Sequence, residues 1–234
     1  MILLLAVSFC VCFFYLEENK DLESIHQYLS GDSIEFSHAN GFYDKDIVLS
    51  LSINHVYPKS AEIVYTLDGS TPTKESERYR EPLVLSAADA ISVMTVRAAV
   101  CYKNEIDEVL SNTYILGKHV YGRYTLPVVS IVSEADGLYG YENGLLVPGK
   151  LYDDYVAKTE AMGKTADLPS IFTRANFNEG WVREANATIF MPDGSCVINQ
   201  GVGLSVGGNA SRAHEQKTLL LEADASFDQK QPRF

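Results

Sequence analysis

"IVYTLDGSTPT", residues 63 to 73, is a short alternating apolar run that ends on a turn signal. In an extended chain successive side chains point to opposite faces, so Ile63, Tyr65 and Leu67 share one side of a strand. Asp68-Gly69 then marks a tight turn, because Gly69 accepts positive φ and a short aspartate side chain bonds back to its own backbone. Thr71-Pro72-Thr73 keeps the exit extended, since proline biases the residue before it away from helix. Asp68 has no second carboxylate at a readable spacing, so it reads as a corner of the fold and not as a catalytic acid.

The same period of two continues on both sides. Upstream, Ile47, Leu49, Leu51 and Ile53 alternate with polar neighbours; downstream come "EPLVLS" from 81, "SVMTVRAAVCY" from 92 and "SNTYIL" from 111. Short strands punctuated by turns, with no helical stretch between them, predict an antiparallel β-sandwich over 34–118. Residues 119–234 continue mainly β. "LPVVSIVSEADGLYG" reads as a buried strand followed by a turn, and "KLYDDYVAKTEAMGKTADLPSIFTRANF" as a partly helical or mobile insertion. "ANATIFMPDGSCVINQGVGLSVGG" reads as a hairpin whose first strand ends at Phe190, turns at 192–194 and returns to glycines, and "KTLLLEAD" adds a further strand.

Composition bounds the function. In 234 residues there are 31 acidic and 19 basic side chains, a formal charge of −12 that repels phosphate backbones and argues against nucleic acid. The hydrophobic share of 46% is that of a chain with a packed core. Residues 2–16 are apolar, the length of a signal-peptide core and short for a membrane span, so residues 1–20 are expected to be an export signal or a membrane anchor. The expected location is secreted or at the cell surface, with the membrane met through that segment. Residues 21–33 read as a linker in which Leu22, Ile25, His26 and Leu29 fall loosely at helical spacing. Cys10 and Cys12 lie in the apolar segment, which leaves Cys101 and Cys196 for the body, too few for a disulfide framework. The five histidines are scattered, and no metal site is readable.

"FSHANGFYDKDIVLSLS", "IVYTLDGSTPT", "RY", "EPLVLS" and "TVRAAV" together resemble the fibronectin-type-III-like module found as the C-terminal domain of chitobiase and β-hexosaminidase. That resemblance implies an immunoglobulin-like sandwich in an accessory role, with no catalytic residues to carry over. Residues 126–234, with "LPVVSIV", the "ATIF" and "DG" pieces and "GVGLSVGGNASRAHEQKTLLLEA" in that order, resemble the opening of the CotH domain, the spore-coat-protein-H family of atypical kinases. The fold class expected is therefore mainly β: an immunoglobulin-like sandwich followed by a β-rich partial kinase-like small lobe. The implied parent activity is phosphorylation of an extracellular protein, with ATP and Mg²⁺ as its cofactors. Its acidic metal-binding residues would come later than this sequence runs, so the chain alone is expected to be inactive.

"GVGLSVGGNASRAHEQK" is the stretch with chemistry to offer. A glycine-rich turn lets backbone N–H groups approach an anion, and Arg212 and Lys217 would supply charge to phosphate oxygens beside Gly207 and Gly208. The spacing of Gly201, Gly203, Gly207 and Gly208 is neither a kinase glycine loop nor a Walker A element, so a structural turn with solvated charges stands as the alternative. Asp224 and Asp228 follow Lys217 too closely to serve across a cleft. A second alternative is a non-catalytic adhesion or glycan-binding module, in which Tyr139, Tyr141, Tyr152 and Tyr155 would stack on a cell-wall glycan. Asn186 and Asn209 begin N-x-[ST] sequons.

Overall fold

The computed structural model describes residues 31–228. The export or anchor segment expected at 1–20, and the helical spacing from Leu22 to Leu29, lie outside the described residues. Among the described residues no helix is long and apolar enough to cross a membrane. The chain is mainly β and separates into two compact units between Lys118 and His119.

The first unit is a sandwich. Among the described residues its strands are β1 (Ile34–Phe36), β2 (Gly41–Tyr43), β3 (Ile47–Leu49), β4 (Leu51–Ile53), β5 (Glu62–Thr66), β6 (Glu77–Arg78), β7 (Leu83–Leu85), β8 (Ser92–Tyr102), β9 (Glu105–Ile106) and β10 (Leu110–Leu116). One sheet runs β2-β10-β8-β5-β6, with β9 hairpinned onto β8; the other layer is made of the ribbons β1-β4 and β3-β7. All pairings are antiparallel except β2 with β10. Between the layers Ile34, Ile47, Leu49, Leu51 and Leu85 meet Ile63, Tyr65, Val96, Ala98, Val100 and Tyr114. Burial of this apolar surface, worth about 25 cal/mol per Å², drives the layers together.

Two details depart from the simple alternation. The run Ile47 to Ile53 is not one strand: the chain changes ribbon at Ser50, whose N–H donates to Ser37 Oγ at 2.8 Å and whose carbonyl accepts from Ser37 N–H at 2.9 Å. Inward pointing survives the change, so Leu49 and Leu51 enter the same core. In β5 and β8 both faces are covered, because Val64, Ala99 and Cys101 form a second cluster under Ile106 and Val109. The two-residue hairpin of this unit is Lys103-Asn104, with φ of 52° and 68°, the mirror-image turn that suits twisted strands.

The second unit holds a four-stranded antiparallel sheet in the order β11 (Val128–Ser133), β12 (Arg183–Phe190), β13 (Cys196–Val206) and β14 (Leu219–Glu222). Between β11 and β12 lie the helices α1 (Ala135–Tyr139) and α2 (Gly149–Ala161) and a 3-10 turn at Asn176–Asn178; a second 3-10 turn, Ala210–Ala213, lies between β13 and β14. The sheet's core face carries Ala185, Ala187, Val202, Leu204 and Val206, packed by Leu138, Leu145, Leu146 and Trp181. Strand β11 is not the buried strand its apolar run predicts. Among the described residues it is an edge with one neighbour, with Val129 50% exposed, and a helical turn, α1, follows it where a simple turn is expected. The stretch expected to be partly helical is α2, and the Tyr152 hydroxyl ties the following segment back to it through Asp167 O at 2.9 Å.

Candidate functional site

Three aspartates sit at corners, and each has the same local chemistry. Asp68 Oδ1 accepts from Ser70 N–H at 3.0 Å and from Ser70 Oγ at 2.6 Å. Asp193 does the same with Ser195 at 2.9 and 2.6 Å, and Asp224 with Ser226 at 2.9 and 2.7 Å. These are Asx turns: a carboxylate replaces one peptide acceptor and fixes the reversal. The serine bonds lower the pKa of all three carboxyls, because the charged acceptor is the form they favour. A carboxylate held in this way is a poor proton donor. At Asp68 the corner does not close a two-residue hairpin; it opens a longer excursion before β6, with Arg97 Nη1 donating to Gly69 O at 2.9 Å to pin it.

The glycine stretch is mostly strand. Gly201 and Gly203 lie within β13, and Gly207 and Gly208 follow it. At Gly203 a Cβ would come within 2.6 Å of the Phe227 ring and 2.9 Å of Val182, so hydrogen is the only side chain that lets Phe227 lie on the sheet. Gly201 faces the Phe227 carbonyl in the same way, and its N–H donates to Asp228 Oδ2 at 3.2 Å. Gly207 accommodates Leu220 across the sheet, and Gly208 turns the chain at φ +82°.

Arg212 and Lys217 share the loop that follows. Arg212 Nε donates to Gly208 O at 2.8 Å, and Lys217 Nζ donates to His214 O at 2.9 Å while standing 4.4 Å from the centre of the Phe177 ring. Desolvation there lowers the Lys217 pKa. The four residues proposed to face a nucleotide thus come together in one loop, but the donors named are engaged with the loop's own carbonyls. Among the described residues no three histidine, cysteine or acidic side chains cluster in a way that could hold a metal ion. Asp224 and Asp228 are committed to Ser226 and Gly201.

Of the four tyrosines, Tyr139 and Tyr141 are exposed, and Tyr141 donates to Asp153 on α2 at 2.9 Å. Tyr152 and Tyr155 stand 6.1 Å apart on α2 with their rings 31° from parallel.

Sequence reasoning passed over a cleft of about 610 Å³ in the sandwich, lined by Tyr65, Glu77, Arg78, Arg80, Glu81, Pro82, Leu83 and Val84. Pairing of β5 with β6 and the short link from β6 to β7 create it. The Tyr79 amide donates to Ile63 O at 2.9 Å, and the Tyr79 hydroxyl accepts from Leu51 N–H at 3.2 Å, bonding one layer to the other beside the cleft. Glu62 holds both guanidinium groups, Arg78 Nε at 2.7 Å and Arg80 Nη2 at 3.8 Å. Burial raises the Tyr65 phenol pKa foremost, helped by its hydrogen bond to Glu77. In sequence the charges of "ERYRE" look like an ordinary solvated run; only the strand pairing turns them toward one hollow.

Residues 38–105 match the family described as the chitobiase/beta-hexosaminidase C-terminal domain. The match spans most of the sandwich and includes the cleft. No curated protein and no solved structure matches the chain.

Proposed function

We propose, from the chitobiase-type domain at residues 38–105, that this protein acts outside the cell as a carbohydrate-associated accessory module. The sandwich is its contact domain, and its partner is a surface or cell-wall glycan. The family match carries this reading. Export is proposed from the apolar run at 2–16.

The second unit is placed with the CotH-type lobes on the order of its sequence motifs, and its role in this reading is structural. Lys217 donates to His214 O and lies on the Phe177 ring, contacts that anchor its loop. Phosphoryl transfer also needs Mg²⁺ and an oriented nucleophile, since positioning and charge neutralisation supply nearly all of its acceleration.

Co-sedimentation of the purified chain with insoluble chitin, cellulose and peptidoglycan tests the proposal. Retention on at least one, with no transfer of labelled phosphate from Mg²⁺-ATP to a generic acceptor protein, is the expected result. Phosphate transfer without retention on any of the three polymers would replace the accessory reading with the kinase one.

A further inference from the structure

The cleft between β6 and β7 presents an unusual mixture for a surface hollow. Its lining includes two carboxylates, Glu77 and Glu81, two arginines, Arg78 and Arg80, and the apolar residues Pro82, Leu83 and Val84. Val84 is 66% exposed, and its cross-strand partner Val48 is 55% exposed, so exposed apolar surface continues from the cleft onto the outer face of the β3-β7 ribbon. Binding sites are commonly concave, largely apolar surfaces with a few polar groups that fix orientation. At about 610 Å³ this hollow is of the size that takes a small ligand.

The charges decide the ligand class. Glu62, Glu77 and Glu81 stand against Arg78 and Arg80, and Glu62 already neutralises much of the guanidinium charge. A strong anion would meet Glu77 and Glu81, and a strong cation would meet the arginines, so neither is favoured. A neutral ring with paired hydroxyls is favoured, because planar carboxylate and guanidinium groups bond two neighbouring oxygens at once. Such a ring also has a C–H face that suits Pro82, Leu83 and Val84.

We propose that the cleft lined by Glu77, Arg78, Arg80, Glu81 and Val84 is the saccharide-binding site of the sandwich and takes a neutral, hydroxyl-rich pyranose. The proposal rests on the carbohydrate-associated reading of residues 38–105 and locates its site. Arg80 and Glu81 are the residues to change, since their exposed side chains leave the core untouched.

Isothermal titration of the full chain with N-acetylchitotetraose, cellotetraose and trigalacturonate, joined to amide shift mapping, provides the test. A neutral oligosaccharide is expected to bind and to shift amides in 77–84. Arg80→Ala and Glu81→Gln should each weaken that binding at least tenfold, while Tyr139→Ala leaves it unchanged. Binding of a neutral oligosaccharide that survives both cleft substitutions would overturn the location and leave the accessory reading standing. Stronger binding of trigalacturonate would overturn the neutral class. Failure of both neutral oligosaccharides to bind would overturn the site itself, and the sedimentation on whole polymers then judges the accessory reading separately.

Discussion

Thr95 on β8 and Thr113 on β10 are directly opposite in the register, with their Oγ1 atoms 3.0 Å apart in a buried setting. Thr113 is 0% and Thr95 8% exposed, so neither hydroxyl has ready access to water. Thr113→Val keeps shape and β-branching but deprives the Thr95 hydroxyl of its partner. Leaving a buried donor unsatisfied costs about 1–3 kcal/mol, and the partial exposure of Thr95 sets the expectation at about 1–2 kcal/mol. Thr95→Val should cost about the same. The double variant places two valines side by side on a sheet, where β-branched pairs pack well, and is expected within about 0.5 kcal/mol of wild type. For a domain of this size a loss of 1 kcal/mol lowers the melting temperature by about 4–8 °C. Urea denaturation of the full chain, joined to hydrogen exchange at the β8 and β10 amides, assigns the change to the sandwich. A double variant as unstable as the two single losses added together would refute the pairing, because independent sites add and coupled ones do not.

Leu49 is fully buried between the two layers, so Leu49→Ala should cost about 2–5 kcal/mol by urea denaturation; a loss under about 1 kcal/mol would mean that the ribbon β3-β7 does not close the core. Gly203→Ala should destabilise the second unit by about 1–3 kcal/mol through contact with the Phe227 ring, and Phe227→Ala should restore most of that loss. No rescue in the double variant would show that Phe227 is not what the glycine makes room for. Carbon-detected NMR titration should find the carboxyls of Asp68, Asp193 and Asp224 all below the ordinary aspartate pKa. With folded values lowered, the stability they add is complete above the unfolded pKa of about 4 and is lost as pH falls through the lower folded values. Ser70→Ala should return Asp68 toward the ordinary value, and a carboxyl that does not move would remove the serine from the explanation.

Much of the sandwich is legible in one dimension because alternation is a property of neighbours two residues apart. Ser92–Tyr102 is read as a strand and is β8; the hairpin turning at Asp193-Gly194 is read from its Pro-Asp-Gly and joins β12 to β13; Asp68 is read as a corner and bonds Ser70. Each of these depends on torsions and side chains within a few positions, so the local sequence determines it. What needed the tertiary structure depends on residues far apart in the chain. Ser50 sends an unbroken alternation into two ribbons because Ser37 is there to accept it, and a Cβ at Gly201 or Gly203 would meet Phe227, which lies far along the chain. The cleft is the clearest case: Tyr65, the charged run from Glu77 to Glu81 and the apolar run from Pro82 to Val84 read separately as strand, solvated charges and strand. Only the pairing of β5 with β6 and the crossing to β7 set them around one space, and no local periodicity encodes which strands become neighbours.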